Sequence, residues 1–241
     1  METDAASSHS SPALPLVASL DATGTPTLAD YVAASAEYIR GASQLTSSAA
    51  KTAQLALSKG LSNVMANDLC ATGVPFTDLR PGEREVGGGL RAAKADVSEM
   101  TPRDGLTVGV EIKPVHLAVG RAIWNRMGDI RAFALNVHLK FPFAVVGGVL
   151  TVPTSERKTS GNDSEWKSTL PAVQKAIKKF SAAGERRSEY DAPHLLEATA
   201  VVVFDVDSGL VRDDLPGETS PLSWGTYIDQ LAAVYDLRFN D

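Results

Sequence analysis

Lys94-Ala-Asp-Val-Ser-Glu-Met100, then Thr101-Pro-Arg-Asp-Gly105, then Leu106-Thr-Val-Gly-Val-Glu-Ile-Lys-Pro114 is the stretch on which the reading of the fold turns. Two strand-like runs flank a Pro- and Gly-containing turn, the pattern of a β-hairpin. Side chains alternate across a strand, so Glu111 and Lys113 share one face while Val108, Val110 and Ile112 share the other. An acid and an amine therefore stand side by side above an apolar layer. Asp96 precedes Glu111 by 15 residues (111 − 96) and falls on the partner strand, where a hairpin brings it beside Glu111.

These three groups suit metal-dependent phosphodiester cleavage. Two carboxylates a few ångströms apart repel unless a cation neutralises them. Hard carboxylate oxygens favour Mg²⁺ over softer metals, and Mg²⁺ keeps waters that can act as nucleophile. An ammonium two residues from the ligand is placed to orient that water and to stabilise the charge that develops on phosphate. The competing reading is the solvated face of an antiparallel sheet, since Glu-x-Lys is frequent on such faces. Three features weigh against it: the apolar opposite face, Pro114 directly after Lys113, and a following helix that carries Arg and Asn.

Asp96 followed by Glu111-x-Lys113 resembles the signature of the PD-(D/E)XK nucleases, a superfamily that includes many type II restriction endonucleases. The order of helix, Asp strand, turn, Glu-x-Lys strand, helix and strand is similar too, over about residues 45–152. Ala95 stands where many members have Pro. A literal Pro102-Arg103-Asp104 is present, but Asp104 lies in the turn, 7 residues (111 − 104) before Glu111. The resemblance implies an α/β fold with a central mixed β-sheet flanked by helices. It implies Mg²⁺ held by Asp96 and Glu111, with Lys113 acting on the attacking water, and site-specific cleavage of double-stranded DNA by a homodimer. Two alternatives stand beside it: another nuclease of the superfamily, serving repair or antiphage defence, and a non-catalytic binding module on the same scaffold.

With 241 residues, 44% of them apolar, the chain can bury a substantial core. Residues 1–25 read as a mobile tail and 26–241 as one domain, with 153–241 contributing recognition or dimerisation. The lone Cys70 excludes an internal disulfide framework and fits a reducing cytoplasm; its place after Val64, Met65 and Leu69 suggests a buried thiol. No run is long enough to span a membrane. Net charge is −6, yet residues 157–187 hold eight Lys or Arg against Asp163, Glu165 and Glu185, and residues 188–241 hold two basic against eleven acidic residues. The basic segment is a candidate DNA-facing surface or an ordinary solvated helix face.

Thr27 can cap a helix to about Gly41, and a second helix is expected over Ser43–Leu69, interrupted at Gly60. Asp68, Glu83 and Glu85 are additional acidic candidates. Residues 71–91 read as loop. Gly87-Gly88-Gly89 would permit a close backbone approach to phosphate or make a plain turn, and Arg80, Arg84 and Arg91 surround it as DNA-backbone contacts. The helix expected over His116–Asn136 places Arg121, Asn125 and Asp129 on one face with Arg126 and Arg131 beside them; Arg121, Asn125 and Arg126 are candidate DNA contacts. His116 and His138 show no zinc spacing. Phe143–Val152 and Leu196–Asp205 read as buried strands, 153–168 as a polar loop and 169–183 as helix, with a last helix capped by Ser223. Asp205 and Asp207 form a rival carboxylate pair in an ordinary turn sequence.

Overall fold

The computed structural model describes residues 14–22, 24–157, 165–184 and 186–240. A five-stranded mixed sheet runs in the order β1-β2-β3-β4-β7. Its strands are β1 Arg80–Glu85, β2 Lys94–Thr101, β3 Gly105–Pro114, β4 Val145–Pro153 and β7 Ala198–Phe204. β2 runs antiparallel to both of its neighbours, β1 and β3, while β3, β4 and β7 are parallel. β5 Ser155–Arg157 and β6 Trp166–Ser168 form a separate two-stranded ribbon.

Helices cover both faces, as parallel strands require because neither of their faces can meet water. On one face α1 Pro15–Ala22, α2 Leu28–Gly41, α3 Ser47–Ala71 and α6 Trp224–Phe239 enclose Val108, Val110, Ile112, Val149 and Val202. On the other, α4 Val119–His138 and α5 Leu170–Ser181 enclose Leu106, Val146, Leu150, Val201 and Val203. β4 and β7 are buried at every residue, matching their continuous apolar sequence. Two glycines let the helices approach β4. A Cβ at Gly147 would lie 2.2 Å from the Tyr227 hydroxyl of α6, and one at Gly148 2.5 Å from Ile130 of α4.

Caps set the helix starts. Thr27 and Asp30 form a reciprocal capping box on α2, and Ser223 accepts from the Thr226 N–H at the start of α6. α3 begins after Thr46, not at Ser43, because the Thr46 hydroxyl accepts from Ala49 N–H and a 3₁₀ turn occupies Ala42–Gln44. α3 also runs unbroken through Gly60, where the missing side chain admits Leu20 of α1.

Four expectations are corrected. The tail expected over 1–25 contains α1, whose Val17 and Leu20 enter the core; residues 1–13 lie outside the described residues. The loop expected over 71–91 contains β1, an edge strand whose sequence Arg-Pro-Gly-Glu-Arg-Glu is almost wholly exposed and so lacks apolar alternation. The loop expected over 153–168 contains β5 and β6, with residues 158–164 outside the described residues. Cys70 is exposed, since it falls on the outer side of the last turn of α3. No helix is long and apolar enough to cross a membrane among the described residues.

Candidate active site

The site begins where β2 leaves β3. Their ladder runs from Thr101↔Gly105 to Val97↔Val110 and stops. Ala95 packs with the α4 side of the sheet and Val97 with the opposite side. Residues two apart on a regular strand share a face, so the chain rotates about Asp96. The turn redirects the Asp96 side chain toward β3, where Oδ2 accepts from the Ile112 N–H at 2.7 Å. The carboxylate thus takes the role of the ladder carbonyl that β2 no longer offers.

Beyond the break the β1–β2 tip is drawn onto α4. Asn136 Oδ1 accepts from Leu90 N–H (2.8 Å) and Arg91 N–H (3.2 Å), its Nδ2 donates to Arg91 C=O (2.9 Å), and its own carbonyl accepts from Gly89 N–H (2.8 Å). A Cβ at Gly88 would stand 2.3 Å from Asn136 Nδ2. The Gly87–Gly89 run therefore lets the tip pack against the end of α4.

Glu111 and Lys113 lie on the α4 face of β3, as alternation requires, and Lys113 Nζ pairs with Glu111 Oε1. Glu111 is only 8% exposed. Burial drives its carboxyl upward; Lys113 opposes this, Asp96 and Asp129 add to it, and the pKa reaches about 7. Burial also raises the Asp96 carboxyl, against the Ile112 N–H and the Lys113 charge, with Glu83 adding repulsion. Burial thus raises both carboxyls, Asp96 adds to the rise at Glu111, and one amine partly neutralises both. Two raised carboxyls mark a place where a further cation would be favourable.

Asp96, Ile112 and Lys113 open into a cleft of about 710 Å³. One wall is the polar side of α3, with Gln54, Ser58 and Asn63; the other includes His116 and Arg126. Glu111 is not part of the wall and meets the cleft through Lys113. Among the described residues no group of three or more His, Cys, Asp or Glu forms a metal cluster. Two carboxylates nevertheless fit Mg²⁺, which is usually held by one or two of them, with waters and substrate phosphate completing the shell.

The remaining candidates separate. Arg126 lines the cleft and pairs with Asp129 at 3.1 Å. Arg121 and Asn125 are exposed on the outer side of α4 and do not reach the cleft; nor do Arg84 and Arg91, exposed on β1 and the β1–β2 tip. Arg80 pairs with Asp78. Of the additional acids, Glu83 lines the cleft and pairs with Lys94 at 2.6 Å, Asp68 accepts from Trp224 Nε1, and Glu85 stays exposed. Asp104 bonds Thr101 within the turn. Asp205 accepts from Asp207 and Ser208 N–H and so holds a turn. Nothing in the sequence pattern marks Asn136 except the glycines it packs on. His116, 8% exposed and edge-on to Tyr38, keeps its Nε2 without a hydrogen bond, and burial lowers its pKa to about 4.

Comparison with protein-family models, with curated proteins and with solved structures returns no match.

Proposed function

We propose that this chain is a Mg²⁺-dependent endodeoxyribonuclease acting on double-stranded DNA, a type II restriction endonuclease in the pattern of the PD-(D/E)XK superfamily. The observation that carries the proposal is the convergence of Asp96, Glu111 and Lys113 at the point where β2 and β3 part, with both carboxyls raised by burial. Asp96 and Glu111 would hold the ion. When bound, Mg²⁺ supplies a water of lowered pKa and neutralises charge on the phosphate.

The chain's own residues do the rest. Lys113 keeps a cation beside Glu111 and at the cleft surface, where it orients the attacking water and stabilises negative charge on the phosphoryl oxygens. The water oxygen forms the new bond to phosphorus as the bond to the leaving sugar oxygen breaks. Arg126 on the cleft wall is placed to contact a neighbouring phosphate, exchanging Asp129 for it. Cutting both strands of a duplex with one such site per chain calls for a homodimer.

Incubation of the purified protein with phage and plasmid DNA, with and without Mg²⁺, tests this. Discrete bands that require Mg²⁺ are expected. Lys113→Ala should abolish cleavage, by at least about 100-fold, while retaining DNA binding. A Mg²⁺-dependent smear would favour a repair or antiphage nuclease of the same superfamily. Cleavage by both Lys113→Ala and Glu111→Ala at the parent rate would overturn the proposal.

A further inference from the structure

α4 separates two charged places. Its Arg126 flank borders the cleft. Trp124, two residues earlier and so about 200° around the helix, belongs to the opposite flank, where α5 packs. There Lys175 Nζ lies 5.7 Å and Lys179 Nζ 5.0 Å from the centroid of the Trp124 ring. Lys175 and Lys179 stand one turn apart on α5, and all three of Lys175, Lys178 and Lys179 are exposed. No described carboxylate pairs with any of them.

Helix ends attract lysines, and Lys178 and Lys179 do sit in the last turn of α5. That effect accounts for neither Lys175 nor the gathering of two ammonium groups over a single indole. Each ammonium is drawn to the ring face, yet the two repel one another. An anion seated between them removes the repulsion and keeps both ring contacts. Arg131, on the same flank two turns after Trp124, adds a half-buried guanidinium whose Nε has no hydrogen bond. All this stands in a chain of net charge −6.

We infer that the α4–α5 face, centred on Trp124, Lys175 and Lys179, binds the phosphate backbone of duplex DNA beside the cleft. The inference builds on the nuclease proposal and adds where the duplex rests. The cleft and the lysine face are separated by α4, whose diameter with side chains is about 10–12 Å. The major groove is about 12 Å wide, so one duplex can present phosphates to both. Arg121 and Asn125, exposed on the side of α4 between the two, then face the groove.

The test is fluorescence anisotropy of a labelled 30-base-pair duplex in metal-free buffer over a salt series, using the full chain and the triple variant Lys175→Gln, Lys178→Gln, Lys179→Gln. Loss of three phosphate contacts should lower the slope of log affinity against log salt by roughly 2.7. Affinity at low salt should fall at least tenfold. Hydrolysis of bis(p-nitrophenyl) phosphate with Mg²⁺, a substrate too small to reach α5, should be the same for both proteins. Trp124→Phe should remove the indole quenching that accompanies DNA binding. An unchanged slope and affinity in the triple variant, or no DNA binding by the parent, overturns the inference. Loss of DNA affinity in the variant while neither protein hydrolyses the small ester would keep this surface and sink the nuclease proposal.

Discussion

Glu111 is poised to change charge near neutral pH, and the consequence has a definite sign. Its carboxyl titrates at about 7 in the folded protein against 4.5 for a solvent-exposed glutamate, as in the unfolded chain. Between those values the native state holds a proton that the unfolded chain has lost, so metal-free stability falls as pH rises from about 4.5 to 7 and stays lower above. Glu111→Gln removes the titration. Its unfolding free energy should gain on the parent's across that window, up to a difference on the order of 3 kcal/mol above pH 7. A pH-independent offset between the two proteins would contradict the account. On the proposed function Mg²⁺ would bind the ionised form, so its affinity, followed by calorimetry, should rise through pH 7 and then level off. At this scale the sequence placed Glu111 and Lys113 on one strand face but did not show how Asp96 reaches β3. Strand alternation alone placed Glu111 and Lys113 together. The rotation about Asp96, which turns its carboxylate to Ile112 N–H, depends on the β1–β2 tip and leaves no periodic trace.

At the scale of elements, that rotation depends on α4 holding the β1–β2 tip. Asn136→Ala removes three side-chain hydrogen bonds from Leu90 and Arg91 and leaves their backbone groups without partners, at a cost of roughly 1–3 kcal/mol. Amide exchange over residues 86–93 should quicken while the amides of α3 keep their protection, and cleavage should fall because Asp96 follows directly on that segment. Unaltered exchange in this segment would show that the tip is held by other means. β3, β4, β7 and the caps at Thr27 and Ser223 were legible because apolar runs and capping residues act locally. β1 was not, since an exposed edge strand needs no apolar pattern; α1 was not, since eight residues carry too little periodicity to stand out from a small-residue N-terminus.

For the whole molecule, a buried ionic knot ties the C-terminal segments to the sheet. Glu197, fully buried before β7, meets His138 of α4 (3.3 Å), Arg238 of α6 (2.9 Å), Arg186 (3.3 Å) and Val146 N–H of β4 (2.8 Å). Burial pushes the Glu197 carboxyl up, but His138, Arg238 and the Val146 N–H together hold it below the usual range, so its contribution to stability is lost in acid. Glu197→Ala leaves Arg186, 1% exposed, without its counter-charge and should cost roughly 3–5 kcal/mol, seen as a melting point lower by about 10 °C. A loss under about 1 kcal/mol would mean that the knot is replaceable. No sequence pattern announced it, because its members come from four separated segments. The α/β architecture was legible from strand and helix periodicity, whereas the break in the sheet that creates the cleft was not.

The most direct measurement is a crystal structure of the protein with Mn²⁺, read by anomalous scattering. One strong peak is predicted between Asp96 and Glu111, about 2.0–2.2 Å from an oxygen of each, with Lys113 Nζ withdrawn from Glu111. A saturated crystal with no peak at these carboxylates, and Lys113 still paired to Glu111, would contradict the account.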